Sequence, residues 1–228
     1  HSPGCLPADL GVGIRAVVPD SEEGGGFTSL MLAMGASAAA FTPARCAVIA
    51  EGATDMILLP TLMRAAIGQD SLPYQVAPGL SEMPKDSYPE LDFQAARVAF
   101  LVDGDGGGQR LAETIGRAIP DDRVVTLDVH GIENTLGSDL YLRTFTALLR
   151  DVNAGVTIGE LPSLPDATAA PWSTTLEAWA ASQGWRAPTK QEIANHLIEL
   201  DEVALSPQGV VALKQAHTAL LTALGITS

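Results

Sequence analysis

The chain has 228 residues, 46% of them hydrophobic, and carries 13 Lys+Arg against 27 Asp+Glu, a formal net charge of −14. That balance argues against a protein that coats nucleic acid by charge alone, but not against an enzyme that meets nucleic acid through bound cations, because metal ions reverse the local sign. Cys5 and Cys46 are too few for a disulfide framework or a zinc site, and no apolar run or signal peptide marks a membrane or export route. Free thiols, a cytoplasmic setting and no membrane contact are therefore expected.

In chain order, "IRAVV" (14–18) reads as a short strand, "EEGGG" (22–26) as a loop and "FTSLMLAMGASAAAF" (27–41) as a helix rich in small residues. "RCAVIAEG" (45–52) is a strand entering a turn, and "TDMILLPTLMRAAIG" (54–68) a helix. Pro60 is tolerable there if the regular helix starts only a few residues before it. "YQVAPG" (74–79) is a short strand and turn, and 80–93 a loop. "ARVAFLVD" (96–103) is a strand, "GGQRLAETIGRAI" (107–119) a helix and "RVVTLD" (123–128) a strand. Near-continuous apolar strands alternating with helices predict an α/β fold with a parallel sheet flanked by helices. Beyond it, "SDLYLRTFTALLRDV" (138–152) is helical and 153–170 reads as a long loop or linker. Helical spacing in 171–185, 189–203 and 207–224 then predicts an appended C-terminal helical region.

The acids fall at strand ends, where ligands sit in parallel sheets. Glu51 closes one strand, and Asp55 follows at i+4, so both can face one place if a helix begins there. Asp103 and Asp105 close another strand at alternate positions, so both side chains can point the same way. The glycines after Asp105 let backbone approach a ligand and lead into a helix N-terminus that favours anions. Four converging carboxylates repel one another unless protons or cations neutralise them. Oxygen-only ligands suit Mg²⁺ or Mn²⁺, and two such ions are a common apparatus for in-line attack on a phosphodiester. A lone D-x-D is more often a solvated turn; its pairing with E-G-x-x-D, each at the end of a strand, is what raises the metal reading.

"IAEGATDMILLP" followed by "FLVDGDGGG" resembles the Toprim domain of topoisomerases, primases and nucleases, and most closely the version in the OLD (overcoming lysogenization defect) family of ATP-linked nucleases. The resemblance implies a Toprim-like sheet over 42–152, a helical region over 153–228, and an N-terminal segment, 1–41, left from an upstream ABC-type ATPase domain. "HSPGCLPADLG" resembles the end of such an ATPase, and ATP would act only through that domain. "HGIENTL" (130–136) resembles the family's "IEN" segment, which makes Glu133 a metal ligand beside Glu51, Asp55, Asp103 and Asp105. Glu160 is the alternative late ligand.

The family also implies a catalytic lysine in the helical region. Lys190 is the choice, because Thr189 and Glu192 form a capping box that makes it the first helical residue, where a cation opposes the helix dipole. Lys214 reads instead as part of a surface stripe. The implied activity is metal-dependent hydrolysis or nicking of DNA by water, with Glu51, Asp103, Asp105 and Lys190 catalytic and a role in phage defence or DNA processing. A homo-oligomer through the full-length protein is compatible with it.

Other functions remain open at this point. A nuclease-dead Toprim module for binding or assembly, or a phosphohydrolase using Asp103 as nucleophile, would carry the same D-x-D. His130 is either a general base or a loop histidine without a role. Trp172, Trp179 and Trp185 read as core rather than base-stacking platforms, and Tyr74, Tyr88 and Tyr141 have no topoisomerase-like setting. Arg110 and Arg143 are scattered cations available to a polymer track.

Overall fold

A computed structural model describes residues 46–77, 79, 97–200 and 202–226. The strand expected at 14–18, the helix at 27–41, the loop at 80–93, the ATPase-like opening, Cys5 and Tyr88 lie outside the described residues. Cys46 is a free thiol. Among the described residues no helix is long and apolar enough to cross a membrane.

Among the described residues four parallel strands form one sheet: β1 (Cys46–Ala50), β2 (Gln75–Ala77), β3 (Arg97–Val102) and β4 (Val124–Thr126), in the order β2-β1-β3-β4. The register sets Ala50 beside Leu101 and Val102 beside Thr126. The chain first moves from β1 to β2 on one side, then returns to place β3 on the other. This reversal makes the carboxyl ends of β1 and β3 the switch point of the sheet, the usual crevice for a ligand.

Both faces are covered, which explains the unbroken apolar strands. On one face Ala47, Ile49, Val98, Phe100 and Val102 pack with Ile115 of α2 (Gly106–Gly116) and with Ile119. On the other, Val48, Ala50, Ala99 and Leu101 share one continuous core with α1 (Ala53–Ile67), α3 (Ser138–Val152), α4 (Trp172–Ser182), α5 (Lys190–Glu199) and α6 (Pro207–Ala223). Trp172 is buried there, its ring 5.5 Å from that of Tyr141. Trp179 and Trp185 are part-buried and meet edge to face at 5.6 Å. Of the helices after 153, α6 packs against β3, β4 and α1, and α5 against α1 and α3.

Local chemistry sets the ends of these helices. Gly52 precedes α1, and its N–H donates to the Asp55 carboxylate at 2.9 Å. Gly68 closes α1 in the left-handed region (φ 68°), where glycine carries no Cβ penalty. Pro60 lies well inside α1, not near its start, so the carbonyl four residues earlier loses its helical donor. The surrounding Leu58, Leu59, Leu62 and Met63 are all buried, and this packing holds the helix through the proline. Thr189 and Glu192 form the expected capping box of α5, at 3.1 and 2.7 Å. Ser206 caps α6, with Pro207 in its first position.

Asparagine 134 ties two parts of the chain together. It lies on a short 3-10 turn (Ile132–Thr135), and its Nδ2 donates to the carbonyls of Ala167 and Ala170, each at 2.9 Å. Its Oδ1 accepts the Trp172 N–H at 3.3 Å, at the start of α4. Arg97, at the start of β3, donates to the carbonyls of Leu224 and Gly225 beyond α6.

Close backbone contact governs Gly209 in the first turn of α6, where a Cβ would collide with the Thr135 carbonyl. Alanine normally stabilises a helix relative to glycine by about 1 kcal/mol. Here Gly209→Ala is expected to invert that sign and destabilise by about 1–3 kcal/mol, whereas Gly159→Ala, with nothing within 4 Å of the added carbon, leaves stability within about 0.5 kcal/mol. Urea denaturation of the two variants checks both the sign and the contrast.

Candidate metal and phosphate site

The site forms where β1 and β3 end. Glu51 follows β1, and its Oε2 accepts the backbone N–H of Asp103 at 3.3 Å, so the two strand ends are joined directly. Asp55 is held in the first turn of α1 by Gly52. Asp55 and Asp103 both line a void of about 10 Å³ floored by Ala50, Leu59, Leu101, Leu127 and Ile132. That volume is about one water sphere, and its walls are otherwise apolar. Glu133 arrives from the 3-10 turn after β4 and is buried at 4% exposure. Its Oε2 and the Asp103 Oδ2 lie against the same point beside Gly131, 2.8 and 3.5 Å from where a Cβ would stand.

Lys190 reaches this group from α5. Its Nζ is 3.0 Å from Glu133 Oε1, with 44% of the side chain exposed. The same oxygen accepts the Ser173 hydroxyl of α4 at 2.8 Å. A lysine in a first helical turn is unfavourable against the dipole, and the buried Glu133 charge offsets that cost.

Burial and crowding shift Asp55 and Asp103. Asp55 is pushed up to about 6, chiefly by burial, against the Gly52 hydrogen bond, with the Glu51 and Glu133 charges adding to the rise and Lys190 opposing it. Asp103 is pushed up to about 9, again chiefly by burial, then by Asp55, Glu51 and Glu133, with Lys190 opposing. Partial burial pulls Lys190 down, but the Glu133 charge and hydrogen bond, with Asp103 and Asp55 behind them, outweigh it and raise the ammonium. The structure therefore brings Glu51, Asp55, Asp103, Glu133 and Lys190 into one electrostatic unit.

Asp105 is placed differently. Its Oδ1 accepts the N–H groups of Gly107 and Gly108 at 2.7 and 2.8 Å, as the N-cap of α2. Alternate position after a strand did not make the two aspartates equivalent, because the chain turns into a helix at the second. Two glycines of this turn have a packing role. A Cβ on Gly104 would strike the carbonyls of Leu127 and Val129, and one on Gly108 the Asp103 carbonyl.

The remaining candidates sit apart. Glu160 is exposed on its loop. Lys214 is exposed on α6, on an open surface with Gln215 and Thr218. His130 borders a recess of about 250 Å³ with Gly104, Gln109 and Asp128, and its Nδ1 is buried without a hydrogen-bond partner. Tyr141 is buried and its phenol is raised by burial and then by Glu133 and Glu177. Tyr74 is buried, bonded to His217 Nδ1 at 2.9 Å and likewise raised by burial. A protonated, enclosed phenol is a poor nucleophile. Arg110 is exposed on the first turns of α2, and Arg143 is paired with Glu202 at 2.5 Å. Ser173 and Asn134 had no marked role in the sequence reading; Ser173 lies in an ordinary helical pattern, and nothing local points it at Glu133.

Among the described residues no group of three or more Asp, Glu, His or Cys side chains is gathered so as to hold a metal ion as it stands. The electrostatic coupling and this looser geometry are compatible, because charges act over longer distances than metal–oxygen bonds of about 2.0–2.6 Å. The donor chemistry fits Mg²⁺ or Mn²⁺, since every candidate ligand is a carboxylate and no sulfur or imidazole intervenes.

Against models of protein families, curated proteins and solved structures, the chain matches none.

A carboxyl whose folded value lies above its ordinary one binds its proton more tightly folded than unfolded. Stability is then highest below the ordinary value of 3.8 and falls as pH climbs through it, toward about 6 for Asp55 and about 9 for Asp103. Asp103→Asn is thus expected to raise the melting temperature in chelator by roughly 4 °C or more near pH 8, with the difference vanishing below about pH 4. Excess Mn²⁺ should narrow or reverse that difference by stabilising the wild-type acid. Scanning fluorimetry across pH, with and without the ion, reads both effects.

Proposed function

We propose that this protein is a divalent-metal-dependent nuclease of Toprim type, resembling the OLD-family version, that cleaves or nicks DNA with water as nucleophile. The observation that carries the reading is the joining of Glu51, Asp55, Asp103 and Glu133 at the switch point, with Lys190 bonded to Glu133. A crevice so negative repels a phosphodiester unless cations bind in it. Two Mg²⁺ or Mn²⁺ ions held by these four acids would activate water and neutralise charge on the leaving oxygen.

The residues of this chain divide the remaining work. Glu51 and Asp103 fix the two strand ends relative to each other. Asp55 is anchored through Gly52, so one of its oxygens has a set direction. Asp105 holds the turn between β3 and α2. Lys190, part-exposed and positive, stands at the edge of the acid group, where an ammonium can meet phosphate oxygens. The high negative charge of the chain makes the exposed Arg110 of α2 a cation for the polymer to meet, since Asp105 already occupies the amides at the start of that helix. An upstream ATPase partner, ATP acting through it, a homo-oligomer and a part in phage defence belong to the same proposal.

One pair of observations favours a second reading. Asp105 commits its carboxylate to helix amides, and no three acids stand ready-made round an ion. A Toprim module that binds nucleic acid or serves assembly without cutting would have this form.

Supercoiled plasmid with Mg²⁺ or Mn²⁺ separates the readings. The nuclease is expected to convert it to open-circular or linear forms, and Glu51→Ala, Asp103→Ala and Lys190→Ala each to lower the rate by about 100-fold or more. Intact plasmid under both metals, with retained binding, would establish the non-cutting module. A beryllofluoride adduct on Asp103 would instead establish a phosphohydrolase.

A further inference from the structure

Glu133 is reached from two different helices. Its Oε1 accepts hydrogen bonds from Ser173 Oγ at 2.8 Å and from Lys190 Nζ at 3.0 Å. Its Oε2 faces the space beside Gly131 that it shares with Asp103 Oδ2. The carboxylate is therefore divided, one oxygen turned to the helical region and the other to the acid group. The last torsion of a glutamate is broad and nearly two-fold, so nothing intrinsic keeps its oxygens in these places.

The two donors differ in how well they can impose that division. Lys190 is a flexible, part-exposed ammonium with rotatable donors. Ser173 is 3% exposed and has one hydroxyl proton on a short stem. The backbone beneath it is fixed, because the preceding Trp172 N–H donates to Asn134 Oδ1 and Asn134 Nδ2 holds the carbonyls of Ala167 and Ala170. Asn134 is the residue after Glu133. The same short segment thus supplies the acid and anchors the helix start that orients it.

We infer that Ser173 is a positioning residue, which sets the Glu133 carboxylate so that one oxygen serves Lys190 and the other faces Asp103. In its bearing on metal, this rests on the metal-dependent reading above. Hydrogen-bond partners behind a metal ligand contribute about 10- to 100-fold in metal affinity or activity. Nothing in the local sequence marks Ser173, and its role comes from a contact across 40 residues.

Threonine and valine have nearly the same shape and differ by the hydroxyl, so Ser173→Thr and Ser173→Val separate hydrogen bonding from packing. Mn²⁺ binding to the full chain, followed by the paramagnetic resonance of the free ion, is expected to be about tenfold or more weaker in the Val variant than in the Thr variant. A second readout needs no metal: the carbon-13 resonance of reductively methylated Lys190 at fixed pH, assigned by its loss in Lys190→Arg. It should shift in Ser173→Val and Ser173→Ala and return toward the wild-type position in Ser173→Thr. Equal Mn²⁺ affinity and coincident Lys190 resonances in the Thr and Val variants would overturn the inference, including when both melt early. If wild type binds no Mn²⁺ at all, the metal-dependent reading fails, and the Lys190 resonance alone decides whether Ser173 holds Glu133.

Discussion

Negative charge that water cannot fully solvate is the constraint around which this structure is arranged. Asp55 and Asp103 share a small void with apolar walls, and Glu51 and Glu133 stand close enough to be felt by both. In such surroundings a carboxylate costs several kcal/mol to ionise without a counter-charge. A chain with a formal net charge of −14 adds no general positive background to relieve it. Relief is local: a proton, the Lys190 ammonium, or a cation from solution. A fold assembled for stability alone would have no reason to collect these acids at its sheet's switch point, and that tension between stability and placement is common where a site does chemistry.

The same economy of position shows in the Asp103–Gly104–Asp105 turn. Two aspartates one residue apart do different jobs because the backbone changes type between them. The first ends a strand and faces the acids; the second caps a helix by accepting two amide protons. Gly104 lets the turn lie against Leu127 and Val129, and its N–H donates to the Val129 carbonyl at 2.9 Å. Gly108 lets α2 press on the Asp103 backbone. Glycine here secures tight packing, which in turn fixes where the Asp103 side chain begins.

Much of this was legible from the chain itself. Apolar runs of strand length followed by helical spacing located β1, α1, β3 and α2, because those signals are local and repeat over several residues. Acids at two strand ends marked the crevice, since parallel connectivity leaves their carboxyl ends together. The Thr189–Glu192 box located the start of α5, and with it Lys190. Pro60 was harder: a proline usually marks an early helical turn, yet buried leucines carry α1 through it. Asp105 could not be distinguished from Asp103, because the helix cap depends on which residue first leaves the strand. Ser173 was invisible, since a buried serine in an amphipathic helix has no signature until its partner, Glu133, is placed against it.

Asn134 gives the architecture an unexpected indivisibility. By clasping Ala167, Ala170 and Trp172 it makes the entry to the later helices a direct extension of the segment that bears Glu133. A fragment trimmed at Val152 would retain Glu51, Asp55, Asp103 and Glu133 and lose the lysine and the serine that hold the last of them. Its apolar face would be stripped as well. The acidic half and the helical half are thus poor candidates for exchange as separate modules: what looks like a terminal addition supplies both side chains that grip Glu133.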